Sequence, residues 1–417
     1  MLCDEKKCTG CGACANACPK GCIEMKLNEK GYLLPHINSE CINCNVCENA
    51  CPNINKTNRQ NRIFPRVYLA HANNESILKN TTSGGIATVL NRRYTKGGHS
   101  CGVVFTDSFL ANYKMADSPE QTNDFACSKY VQSNTCNIYK EVKEKLENNK
   151  PVFFCGLPCQ VAGLHSYLGK EYENLLTADI VCHGTSSSKI FQEYIKHMEQ
   201  TFHSKIKSIC HTSKKKGWNI LISKLICIKT ENGNAYYYDS KKDSYLHLFL
   251  SNIMFKPACY NCTYQVMPRI GDLTLGDFFG IGTIYPVKKL NSYGESMVLV
   301  NTQKGIDALN KIKDEIYLEE RKLEEALYFN HNLWRSSKPH PKREAFENDI
   351  NCLSYEALSK KYYSKSIYSR LNRTAREFLK RILGARLVAK CMLFTYKRTG
   401  IIQKADNVIA QLQKNLN

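Results

Sequence analysis

Residues 8–19 read Cys8-Thr9-Gly10-Cys11-Gly12-Ala13-Cys14-Ala15-Asn16-Ala17-Cys18-Pro19, and residues 41–52 read Cys41-Ile42-Asn43-Cys44-Asn45-Val46-Cys47-Glu48-Asn49-Ala50-Cys51-Pro52. Each run spaces its cysteines by two, two and three residues and then places a proline, the pattern of a chain that holds two [4Fe–4S] clusters. Three thiolates at this spacing cap three irons of one cubane from a tight loop, while the fourth starts a helical turn and reaches the other cluster. The spacing therefore assigns Cys8, Cys11, Cys14 and Cys51 to one cluster and Cys41, Cys44, Cys47 and Cys18 to the second. Structural zinc is the alternative. Zinc takes two Cys-x2-4-Cys knuckles separated by a longer loop, which neither run provides. Gly10, Gly12 and Gly21 suit backbone N–H groups that must approach sulfur closely.

A chain of 417 residues has room for two or three domains around a sizeable core. Its 22 cysteines raise the possibility of a disulfide-rich secreted protein. Met1–Glu5 leads at once into cluster ligands, however, so no signal peptide is expected. Thiolate ligands imply a reducing, cytoplasmic setting. The most apolar stretch, Ile382–Phe394, is interrupted by Arg386 and Lys390 and falls short of the roughly 18–20 residues of a membrane span. The net charge of +20 is uneven, because residues 360–417 carry 14 Lys and Arg against Glu377 and Asp406.

Working outward, residues 1–60 form an α+β ferredoxin-like module whose halves repeat at an offset of 33 residues, Cys8 against Cys41. Asn- and Lys-rich residues 53–65 form a linker. An α/β domain follows in two parts, 66–145 and 150–325. Strands are expected at Val67–Ala72, Cys101–Phe105, Leu110–Met115, Val152–Cys155, Leu175–Val181, Gly271–Asp277 and Met297–Asn301. Helices are expected at Ile86–Tyr94, Ile138–Asn148, from Gln160, from Ser188, at Tyr245–Phe255 and at Gly305–Glu319. Consecutive strand–loop–helix units predict a parallel sheet whose loops carry the sites. Residues 206–240 are a β-rich insertion, and 344–417 are a basic helical tail.

A second group of thiols, Cys155, Cys159, Cys182, Cys259 and Cys262, lies mostly in Gly- and Pro-rich loops of the α/β domain. Five thiols suffice for a third [4Fe–4S] cluster. Buried apolar cysteines, half a zinc site at Cys259-x2-Cys262, and a Cys155/Cys159 redox disulfide remain open alternatives. Cys101, Cys127, Cys136, Cys210, Cys227, Cys352 and Cys391 read as ordinary thiols, and Cys3 and Cys22 fall outside the cluster spacing. Gly84-Gly85 opens a helix whose free N–H groups suit a phosphate, with Lys129 as the partner of a pyrophosphate; a simple tight turn is the alternative. GxGxxG is absent, so nothing points to NAD.

The ordered set carries a family resemblance. It runs through Thr82-Ser83-Gly84-Gly85, Ser128-Lys129-Tyr130-Val131-Gln132-Ser133, Gly156-Leu157-Pro158-Cys159-Gln160, Cys182-His183-Gly184, Cys259-x2-Cys262 and Gly271-Asp272-Leu273-Thr274-Leu275-Gly276-Asp277, all behind the two-cluster module. The chain resembles the coenzyme F420 hydrogenase/dehydrogenase beta-subunit family over residues 1–325. The resemblance implies FAD in the α/β domain, placed at Ser83, Gly84, Gly85 and Lys129. It also implies a third cluster on Cys159, Cys182, Cys259 and Cys262. Cys155 stands where many members have another residue and is the spare. His183 is a candidate proton donor; the alternative is a loop histidine. Asp272 and Asp277 read as loop-orienting carboxylates.

The expected function is that of an iron–sulfur flavoprotein oxidoreductase. It would pass electrons between the clusters and FAD, with an organic substrate or a coenzyme F420-type deazaflavin at one end and ferredoxin or another redox protein at the other. The alternative is an electron-transfer subunit that docks a partner enzyme and has no substrate of its own. In the tail, Ile367, Leu371, Phe378, Leu379, Ile382, Leu383, Leu387, Cys391 and Phe394 fall on a helical apolar face amid basic residues. Such a helix either packs on the body or meets an anionic inner membrane face or an acidic partner. No nucleic-acid motif is present.

Overall fold

The short apolar runs between residues 66 and 321 close into one nine-stranded sheet in the computed structural model, which describes residues 2–55, 62–218, 225–363, 387 and 390–416. Strands β1 (Ile23–Leu27) and β2 (Leu33–Ile37) form an antiparallel hairpin in the N-terminal module, between the helices Ala13–Ala17 and Val46–Asn49. The large sheet takes β3 (Arg66–Ala72), β4 (His99–Phe105), β5 (Ala111–Ala116), β6 (Ser133–Asn134), β7 (Val152–Gly156) and β8 (Leu175–Ile180). β9 (Ile206–Ser213), β10 (Leu225–Thr230) and β11 (Ala235–Asp239) form a separate antiparallel sheet, the expected β-rich insertion. β12 (Leu273–Asp277), β13 (Ser296–Val300) and β14 (Ile316–Arg321) complete the large sheet, in the order β14-β3-β13-β12-β8-β7-β4-β5-β6.

The sheet is mixed rather than parallel, which corrects the sequence expectation. β12, β8, β7 and β4 are parallel neighbours, but β13, β3, β14 and β5 join antiparallel. Residues 106–110 are too short for a crossover and return β5 beside β4 as a hairpin. Since β4 pairs with β7, the two expected parts of the domain share this one sheet.

Strand periodicity sets the two faces. Val152 and Phe154 of β7 pack with Val142, Leu146 and Val161 from the helices Ile138–Glu147 and Pro158–Leu168. Phe153 and Cys155 point to the other face, among Ile86, Val89 and Leu309.

Two expected helices change. Tyr245–Phe255 shortens to Ser244–Leu250. Gly305–Glu319 splits into the helix Gln303–Asn310 and the edge strand β14, which pairs along β3 from Ile316↔Ala72 to Arg321↔Val67. Arg321 contacts Glu319 at 2.7 Å and Glu325 at 2.8 Å, which ties β14 to the helix that follows it.

In the tail, Ala405 and Leu412 of the final helix Ile401–Leu416 are buried against Leu323 and Leu327. That helix packs on the body. Leu387 and Phe394 are exposed. Most of the predicted apolar face, including Ile367, Leu371, Phe378, Leu379, Ile382 and Leu383, lies outside the described residues. Among the described residues no helix is long and apolar enough to cross a membrane.

His211 of β9 is buried among the rings of Tyr130, Phe191 and Tyr245. Burial lowers its pKa to about 3. The unfolded chain, with an ordinary histidine near 6.5, then binds one more proton between these values, so stability falls as pH drops from about 6.5 towards about 3. His211→Phe is expected to remove up to one proton from the acid-unfolding slope, about 1.4 kcal/mol per pH unit, as measured by denaturant melts from pH 4 to pH 7. An unchanged slope would rule His211 out as its source.

Candidate metal centres

The two cysteine runs fold into two cavities, and each recruits a cysteine from the other run. Cys8, Cys11 and Cys14 share one cavity with Cys51, while Cys41, Cys44 and Cys47 share the other with Cys18. Gly12, with φ +75°, precedes the helix Ala13–Ala17 that carries Cys14. A Cβ on Gly12 would lie 2.0 Å from Thr135 Oγ1, so only glycine fits there. The first set is buried throughout, whereas Cys44 is exposed and Cys18, Cys41 and Cys47 are half-buried. Burial pushes the Cys11 thiol up to about 12. Each cavity also has a fifth cysteine that the spacing does not reveal: Cys3 in the first, and Cys22 in the second with its Sγ 3.7 Å from Cys18 Sγ.

The scattered thiols of the α/β domain also gather. Cys159 lies in the first turn of the helix Pro158–Leu168 after β7, and Cys182 follows β8 directly. These are the carboxyl ends of adjacent parallel strands, where loops converge. Cys259, in the short helix Pro257–Tyr260, and Cys262 close the group. Burial first, and then Cys262, Cys182, Cys11 and Cys259 as like charges, hold the Cys159 thiol well above its ordinary range. Burial and then Cys259 raise Cys262 to about 11. The N–H groups of Tyr264 and Gln265 oppose this by pointing at the Cys262 sulfur. Cys155 faces the opposite side of the sheet and does not join them. Four half-buried thiols held together are costly as thiolates unless a cation compensates them, and a cationic metal cluster fits that requirement. Among the described residues no three His, Cys, Asp or Glu side chains converge on a single-ion position.

The first and third sets are neighbours. Gly163, one turn after Cys159, faces Cys11: a Cβ there would lie 3.1 Å from Cys11 Sγ. The Tyr139 hydroxyl lies 2.8 Å from the carbonyl oxygens of both Cys11 and Gln160. Gln132, in the segment 128–133, accepts from Leu33 N at 2.9 Å and reaches Thr9 O at 3.3 Å, while Thr135 Oγ1 donates to Cys11 O at 3.2 Å. That segment holds the N-terminal module on the body.

The expected flavin residues are only partly free. Gly84 N donates to Ser296 Oγ at 2.9 Å and Gly85 N to Thr82 O at 3.2 Å, so neither glycine amide is available to a phosphate. Gly84 instead permits close packing, since a Cβ would lie 2.2 Å from Ala70 O. Ser83 Oγ contacts Asp277, and Ser83 O accepts from Lys214. Lys129 Nζ donates to Asp124 O at 2.7 Å and Ala126 O at 2.8 Å. Burial lowers Lys129 and Lys214 to about 8 each, against the raising influence of the nearby Cys127 and Cys210 thiols. His183 is half-buried, with Nδ1 3.1 Å from Asn332 Oδ1 and the Phe255 ring at its edge. Asp272 accepts from Thr177 N, Thr177 Oγ1 and Thr302 Oγ1 at 2.7–2.8 Å, a stitch between strands.

Residues 149–326 match the family described as the C terminus of the coenzyme F420 hydrogenase/dehydrogenase beta subunit, and residues 7–55 match the 4Fe-4S dicluster domain. The chain carries that beta-subunit domain behind a 4Fe–4S dicluster domain. Among curated proteins none matches it. Among solved structures it is similar to a chain of the F420-reducing [NiFe] hydrogenase complex from Methanosarcina barkeri, at 17% identity and TM-score 0.41, over 72% of this chain and 91% of that one.

Within the beta-subunit domain, three residues at the junction escape sequence reasoning. Lys256 is fully buried and donates to Leu33 O at 2.7 Å, with Cys8, Cys259 and Cys159 among its charged neighbours. Tyr264 donates to Asn53 Oδ1 at 2.8 Å and has Cys11, Cys159, Cys51 and Cys262 around it. Arg269 is fully buried against Asp179 and also donates to Tyr264 O at 2.9 Å. An isolated Lys or Arg outside any motif gives no sequence signal. The nearest hints are the adjoining Pro257 and the short distance from Cys262.

Proposed function

We propose that the chain is an iron–sulfur electron-transfer protein in which three cysteine sets hold [4Fe–4S] clusters in file. The order runs from the exposed set Cys18, Cys41, Cys44 and Cys47, through the buried Cys8, Cys11, Cys14 and Cys51, to Cys159, Cys182, Cys259 and Cys262. The observation that carries this reading is the packing of Cys11 against the helix that bears Cys159. Clusters bound at these sets supply one-electron transfer. The chain buries the set Cys8, Cys11, Cys14 and Cys51, aims the Tyr264 and Gln265 amides at Cys262, and places the Lys256 ammonium between Cys8 and Cys259.

FAD is the finer part of the proposal. Lys129 and Lys214, each held by two backbone carbonyls, provide positive charge suited to a pyrophosphate. They stand with the first amides of the helix Ile86–Tyr94 as the residues that would hold it, in place of the glycine amides. Bound flavin would supply two-electron chemistry towards an organic substrate or a deazaflavin. His183 stays a loop residue in this reading. At the other end, Ile42 and Val46 are 57% and 41% exposed on either side of Cys44 in the chain and suit a redox partner such as ferredoxin.

Cys44→Ser tests the direction of the file. Reduced ferredoxin is expected to lose its ability to reduce the variant, while dithionite still reduces the remaining clusters. Equal reduction of variant and parent by ferredoxin would refute entry at the exposed set. Flavin released on denaturation supports the oxidoreductase reading, and its absence leaves a subunit that docks a partner enzyme.

Lys256→Met tests the junction. A buried cation favours the more negative, reduced state of neighbouring clusters. Its loss is expected to lower their midpoint potential by on the order of 1 kcal/mol, about 40 mV for one electron at an effective dielectric near 20. Redox titration followed by electron paramagnetic resonance measures the shift, and an unchanged potential would place Lys256 outside the relay.

A further inference from the structure

Cys127 and Cys210 stand apart from the three cysteine sets, and they are not placed as ordinary thiols. Their Sγ atoms are 2.8 Å apart although 83 residues separate them in the chain. Two unbonded sulfurs in simple packing contact would stand about a full ångström further apart. Cys127 occupies a left-handed position, φ +63°, in the loop after residues 121–125, and Cys210 lies on β9. Both are half-buried.

We propose that Cys127 and Cys210 form a reversible dithiol–disulfide couple that exchanges with small-molecule disulfides. The surroundings favour one attacking sulfur. The hydrogen bond from Cys127, then the Thr212 amide and hydroxyl and the Lys129 charge, lower Cys210 to about 6 against its partial burial, so it is the thiolate of the pair. The Cys210 thiolate attacks one sulfur of the external disulfide, forming a mixed disulfide and releasing one thiol. Cys127 loses its proton and attacks the Cys210 sulfur, forming the internal bond and releasing the second thiol. Two protein thiols are oxidised to one S–S bond, and one external S–S bond is reduced to two thiols, so atoms and electrons balance.

The bond would join two segments that frame the Thr82–Gly85 loop. Thr82 Oγ1 lies 3.3 Å from Thr212 Oγ1, Lys214 holds Ser83 O and Leu78 O, and Cys127 Sγ reaches Asn80 O at 3.9 Å. Oxidation thus staples β9 to the loop around Cys127, whether or not a flavin binds there. Cys227 is the competing partner, because it is the cross-strand neighbour of Cys210 on β10.

The test uses the full-length protein, purified anaerobically with its iron. The protein is equilibrated over a series of oxidised-to-reduced glutathione ratios, quenched with an alkylating agent and mapped by peptide mass spectrometry, with iron counted in parallel. The expected result is a peptide linked between Cys127 and Cys210 that appears and reverses with the ratio while the iron count holds. Cys127→Ser and Cys210→Ser should each abolish it, and Cys227→Ser should not. Because Cys127→Ser changes a loop residue, it serves if Cys210→Ser fails to fold. Three outcomes overturn the proposal: both thiols stay alkylated over the whole series, iron is lost before any link forms, or Cys210 links to Cys227.

Discussion

Cys159→Ala is expected to remove about four of about 12 irons per chain while leaving the two N-terminal clusters in place. Cys159 belongs to the third cysteine set. It follows β7 at the start of a helix, is half-buried, and has Cys182, Cys259 and Cys262 as its charged neighbours. Removing one of four thiolates leaves an incomplete cage with three clustered thiols, which gain nothing from ionising without the metal. The eight module cysteines line their own cavities, so their iron is independent of this site. Cys155→Ala is the matched control: its side chain packs on the other face of the sheet, and the iron count is expected to stay unchanged. If Cys159→Ala also keeps all its iron, Cys159 leaves the ligand set.

Arg269→Met is expected to cost about 3–5 kcal/mol of stability. Arg269 and Asp179 are both fully buried, and the guanidinium Nε lies 3.1 Å from Asp179 Oδ1. The other oxygen of Asp179 accepts from Gly271 N at 2.8 Å, and once the guanidinium is gone only that amide and the nearby charge of Arg62 offset the buried carboxylate. The same guanidinium donates to Tyr264 O, so the segment that follows Cys262 loses its anchor as well. Chemical denaturation of the anaerobic protein measures the loss. A double variant, Arg269→Met with Asp179→Leu, should recover much of it, because an apolar pair no longer buries a lone charge. A single variant as stable as the parent would contradict this reading of the pair.

How much of this is legible in the sequence differs from site to site. The eight module cysteines are readable because all their chemistry lies within short, regular spacings. The sharing of Cys51 and Cys18 between the runs follows from the same spacing. Cys159, Cys182, Cys259 and Cys262 are visible as a scattered set, but their meeting depends on the pairing of β7 with β8, which no local pattern encodes. β14 reads as the end of the expected helix Gly305–Glu319 because its place in the sheet depends on pairing with the distant β3, which no local pattern encodes. Gly84-Gly85 draws the eye for its amides, yet its importance lies in the absent Cβ beside Ala70. Cys127 and Cys210 read as ordinary thiols because 83 residues separate them. Lys256 is part of no motif, and only the docking of the module on the body places it between two cysteine sets.

The central claim is a third cluster beside the first, and a count of iron and acid-labile sulfide in the anaerobically purified, full-length protein tests it most directly. About 12 of each per chain are expected. A value of about eight of each, with the two N-terminal clusters fully formed, would contradict it.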